Sequence, residues 1–175
     1  MRDEGENLKD VQVPLVQAQR VRVEGSAIGN IEADIANVER SLVERLQSAH
    51  TELRLCAAQA VSGNVVESSS SAVAYIKASE ADLQKGAVGL CNTTVLNSEL
   101  SAIGVVAAQQ KTEMRGGLAG IVAARGVHAE GVRALLVVSP RIEGDIRPVL
   151  GVGQALVLGV ALGLVLFVLR RLGSR

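Results

Sequence analysis

The sequence predicts an all-β protein: a parallel β-solenoid of about eight triangular, fifteen-residue coils, followed by one C-terminal transmembrane α-helix. Three observations carry this: a fifteen-residue period, charges that avoid six columns of that period, and an uncharged run near the C-terminus. The period shows first in two near-copies, "SAIGNIEA" from Ser26 and "SAIGVVAA" from Ser101. Their separation divides into fifteens. Steps from Ser26 meet Ser41, Cys56, Ser71, Gly86, Ser101 and Gly116, all small. Steps from Ile31 meet Leu46, Val61, Ile76, Cys91, Val106 and Ile121, all apolar. Such internal repetition is the signature of a solenoid.

Within one unit the small or apolar columns fall at Val21, Val23, Ser26, Ile28, Ile31 and Ala33, with spacings alternating between two and three. Two residues apart on a strand means the same face. The third step turns a corner, so three short sides close a coil and each coil touches only its neighbours. Ile28, Ile31, Val61, Ile76, Val88, Ile103, Val106, Leu118 and Ile121 are therefore expected in the solenoid core. Of the 23 charged residues between Val11 and Val138, only Lys111, Glu113 and Arg133 fall on inward columns. A buried unpaired charge is expensive, so the bias marks an interior. Lys111 and Glu113 are expected to bulge outward. The low aromatic content suits a narrow bore, and no proline interrupts the chain between Pro14 and Pro140. A helical stripe from Ile31 to Leu53 is the competing pattern. The fifteen-residue columns run through it and continue into Gly- and Ser-rich units that make poor helix.

Taken in order, residues 1–10 form a polar cap, 11–138 the repeat domain, 139–148 a linker, 149–169 a transmembrane helix and 170–175 a basic tail. The span runs from Val149 to Leu169 without a charge, and Gln154 is its one polar side chain. That length crosses a hydrocarbon core of about 30 Å as a helix. Gly151, Ala155, Gly159 and Gly163 recur every four residues and make a ridge on which a second copy can pack, with Gln154 near the contact. The N-terminal "MRDEGENLKD" has no signal-peptide character. A membrane protein with a single C-terminal anchor and a cytoplasmic solenoid is the expectation, although Arg170, Arg171 and Arg175 lean towards a cytoplasmic tail.

No enzyme, cofactor or metal site is expected. Cys56 and Cys91 lie on inward columns of different sides, His50 on an outward one and His128 on an inward one, without a catalytic partner at a recognisable spacing. Zero formal charge and a lack of basic, aromatic stripes leave no footprint for nucleic acid.

Units such as "VRVEGSAIGNIEA", followed by "GDIRPVL" and an apolar tail, resemble the short-repeat β-solenoid membrane proteins of bacteria. More loosely the repeat is similar to the bactofilin cytoskeletal family. That resemblance implies coils that polymerise end to end and associate with membranes; the integral anchor departs from it. The functional expectation is a non-enzymatic, membrane-anchored scaffolding rod. Its partners are the lipid bilayer and further copies of itself, as a homo-oligomer. The alternative is a tethered binding module that uses a solenoid face for a protein or polymer partner.

Overall fold

The computed structural model describes residues 5–148, with side chains from residue 6 to residue 145. Over that range the chain is a parallel β-solenoid of about nine turns with fifteen-residue spacing. Eight strands follow in order: β1 (Gly5–Lys9), β2 (Gln12–Glu24), β3 (Ala27–Glu39), β4 (Leu42–Arg54), β5 (Ala57–Ser69), β6 (Ala72–Gln84), β7 (Ala87–Val138) and β8 (Ile142–Pro148). They form one sheet in sequence order. From β1 to the start of β7 residues pair with those fifteen positions on, as in Ile28 with Val43 and Ile31 with Leu46, and between the end of β7 and β8 the offset falls to fourteen from Val132. The ladder extends past residues 11–138 at both ends, because β1 pairs with β2 and β8 with the end of β7.

Burial follows the alternation read from the sequence. Ser26, Ile28, Ile31, Ala36 and Val38 point in, and two consecutive outward residues mark each corner, as at Gly29–Asn30 and Asp34–Ile35. Three sides result: Ser26–Asn30, Ile31–Ile35 and Ala36–Arg40, with their equivalents in other coils. Each side is too short to bury a face alone, so the core is a column that stacking completes.

The corner from the third side to the first is built by one left-handed residue per coil. Glycine serves at Gly25, Gly116 and Gly131, but Asp10, Arg40, Leu55, Ser70, Lys85 and Leu100 adopt the same conformation with φ between 48° and 54°. The small column that follows locks this corner. Ser26 Oγ donates to the Glu24 carbonyl at 3.0 Å and accepts from the Val11 N–H, one coil earlier, at 3.1 Å. Ser41 and Ser71 repeat both bonds. Ser101 does so with the Glu99 carbonyl and the Gly86 N–H. Cys56 keeps half of the pattern: its thiol donates to the Arg54 carbonyl at 3.1 Å. A serine here is thus selected by a backbone N–H that the corner would otherwise leave unpaired; the carbonyl it also meets already accepts from the left-handed residue one coil earlier, as Glu24 does from the Asp10 N–H.

One expectation is corrected. Leu118 and Ile121 are not core: they are 54% and 39% exposed, while Ala119 and Val122 are buried. The cause is one extra residue after Ala108. Three outward residues, Gln109, Gln110 and Lys111, stand where other coils have two, and Thr112 and Met114 then turn inward. A slip of one residue exchanges the faces of every side chain beyond it. The same shift moves Lys111, Glu113, Arg133 and His128 to the outside, so the three charges in the inward columns are an effect of register. Lys111 and Glu113 do point outward, where they form an ion pair.

Candidate functional surface

The three outer sides differ in chemistry, and this is where the molecule meets its surroundings. The third side is charged and holds ladders of ion pairs. Glu24 binds Lys9 at 3.8 Å and Arg40 at 2.5 Å, and so links three successive coils. Arg54 binds Glu52 at 2.5 Å. Further along, Glu130 meets Arg115 at 3.9 Å and His128 at 3.5 Å. Each pair is exposed and worth little alone. The hydrogen bond from Lys111 and its charge hold the Glu113 carboxyl below its usual range. A depressed carboxylate favours the folded state at neutral pH, and that contribution fades as pH falls through the lowered value.

The second side is mostly neutral and polar, with Gln17 donating to Glu32 at 2.7 Å. His50 stands at its edge, 4.0 Å from Glu67 on the third side. On the third side Glu52, Glu67 and Asp82 stand in register in three successive coils, yet no group of three His, Cys, Asp or Glu among the described residues can hold a metal ion.

The first side is apolar. Eight of the twelve exposed large hydrophobics among the described residues lie on it, including Leu90, Leu118, Ile121, Leu135 and Leu136. Its flat centre is small: Ala57, Ala72, Ala87 and Ala102 stack in one column, and Gly89, Gly104 and Gly120 in the next. From the coil of Ala57 to that of Leu136, Arg133 is its one charged residue. Contiguous exposed apolar surface on this scale marks an interaction site. A signal for this side exists in the sequence. Steps of fifteen from Ala27 meet Leu42, Ala57, Ala72, Ala87 and Ala102, so an outward column reads apolar. Reading only the inward columns overlooks it.

The predicted core residues Ile28, Ile31, Val61, Ile76, Val88, Ile103 and Val106 are all at most 4% exposed and lie in one continuous core. Both cysteine side chains are buried and unbridged. Burial pushes the Cys91 thiol up to about 12, and it raises Cys56 against backbone hydrogen bonds that lower it. The predicted transmembrane residues Gly151, Gln154, Ala155, Gly159 and Gly163 lie outside the described residues. Among the described residues no helix is long and apolar enough to cross a membrane. Comparison with protein-family models, with curated proteins and with solved structures finds no match.

Proposed function

We propose that the chain is a membrane-anchored scaffolding rod, non-enzymatic, with its solenoid in the cytoplasm and its copies clustered through the anchor. The observation that carries this reading is a stack of coils paired from Gly5 to Pro148, with an uncharged run of bilayer-spanning length following directly in the sequence. A stack joined coil to coil by backbone hydrogen bonds is a stiff spacer, and in such a repeat rigidity is itself a usable property. The Gly151, Ala155, Gly159 and Gly163 ridge supplies the contact between anchors, since helices in lipid associate by close backbone packing. The comparison with bactofilins belongs to this reading as an analogy of form.

Crosslinking of full-length protein in mild detergent tests it. Oligomers that disappear with Gly159→Ile but persist with Val160→Ile place the contact on the ridge. Oligomers that survive both changes are held elsewhere, and a chain that never enters vesicles has no anchor. Electron microscopy of the same sample separates extended assemblies, expected for a scaffold, from small discrete particles.

The apolar first side favours a second reading, in which the anchored rod presents a face to a protein or polymer partner. Discrete particles that gain mass only when that partner is added would favour it.

A further inference from the structure

The apolar first side fits one segment of this same chain. The geometry points to the apolar run 149–169 lying along the first side, antiparallel to the rod's direction of growth, whenever no bilayer is present. Three observations place it there. The described chain ends on that side: in the ladder Arg147 pairs with Arg133 and Pro148 with Ala134, both first-side positions of the terminal coil. The described chain therefore ends at one end of the apolar face.

The lengths agree as well. Twenty-one residues as a helix span about 31 Å, and the six coils from Leu136 back to Ala57 span about 29 Å at roughly 4.8 Å each. Beyond the coil of Ala57 the face changes character, because the next coil carries the charged pair Glu44 and Arg45. The shape of the face suits a helix. Alanines and glycines along its centre leave a shallow bed, while the larger Leu90, Ile121 and Leu136 stand along one edge.

This inference takes its segment from the anchor reading and adds a second seat for it. The rod would shield its own anchor in water and release it on insertion, exchanging one apolar environment for another. A ligand shifts such an equilibrium only through its preference for one state. Here the bilayer is that ligand, and insertion exposes the first side.

The test is the maleimide reactivity of single introduced cysteines in the full chain, with Ala87→Cys and Ala102→Cys on the first side and Gln109→Cys on the second. Buried Cys56 and Cys91 leave a low background. Without lipid, both first-side thiols should react at least about tenfold more slowly than the Gln109→Cys thiol, independently of protein concentration. Phosphatidylcholine–phosphatidylglycerol vesicles should remove the difference as the protein floats with them. Equal rates in water overturn the proposal. Protection that grows with protein concentration overturns it too, because a second copy then covers the face. Protection that persists on floating vesicles overturns the exchange and assigns the face to the lipid surface. Flotation separates the two readings: floating without protection in water keeps the anchor and removes the seat, whereas protection without floating keeps the seat and removes the anchor.

Discussion

At the residue scale the most informative position in each coil is the left-handed corner. Six such corners carry a side chain, and a non-glycine residue there costs about 1–2 kcal/mol. Glycine gives back part of the gain as chain entropy. Lys85→Gly and Leu100→Gly should therefore each stabilise by up to about 1 kcal/mol in chemical denaturation, whereas Gly25→Leu should destabilise. Gly25 has a further constraint, because an added Cβ would meet the Asp10 side chain. The buried hydroxyl of Thr112 has no hydrogen-bond partner. Thr112→Val removes a desolvated polar group from a site already shaped for a branched side chain, and about 1 kcal/mol of stabilisation is expected. In the core, Val106→Asp should cost several kcal/mol, because Val106 is fully buried. Gln109→Asp, on the exposed face, should change the thermal midpoint little.

At the element scale the extra residue after Ala108 decides which side chains fill the last coils. Deleting Gln110 should be tolerated, since it leaves two outward residues at that corner and keeps every later side chain on its present face. Deleting Ala74 should unfold the stack around it, because the corner between Val73 and Ile76 would keep only one of its two outward residues. A paired substitution checks the same register. Val122→Asp should lower stability by several kcal/mol and Ile121→Asp should be close to neutral, the opposite of what an unbroken fifteen-residue period implies. Parallel measurement of both variants by urea unfolding distinguishes the two registers.

At the scale of the whole molecule the solenoid is a rod about 40 Å long, nine coils at roughly 4.8 Å. Circular dichroism of residues 1–147 should be dominated by β-structure. The rod has two ends with unpaired backbone, and such edges invite pairing with other chains. Among the described residues the N-terminal edge is β1, whose last residue Lys9 and the following Asp10 are charged. Removing residues 1–10 would expose the β2 edge, with Gln12, Val13 and Leu15, and should increase end-to-end association in sedimentation velocity. Unchanged sedimentation would remove the capping role of this segment.

The sequence alone determined the repeat, its period and most of the core, because a coil that contacts only its neighbours imposes the same demand every fifteen residues. Ser26, Ile31, Val61 and Ile76 report that demand directly. It also located the uncharged run 149–169, whose length is set by composition and needs no tertiary information. Tertiary structure decided the rest. The extra residue among Gln109, Gln110 and Lys111 shows in the sequence only as Lys111, Glu113 and Arg133 on inward columns, a pattern that a local outward bulge also explains; the faces of Leu118 and Ile121 decide for a shift of register. The serine column reads as merely small until the corner geometry shows two backbone groups meeting each hydroxyl. The apolar first side became a surface only in three dimensions, where stacking brings Ala57, Ala72, Ala87 and Ala102 into register. One alanine in an outward position is unremarkable in a sequence. A column of them, on the side where the described chain ends, is a face that can take a partner.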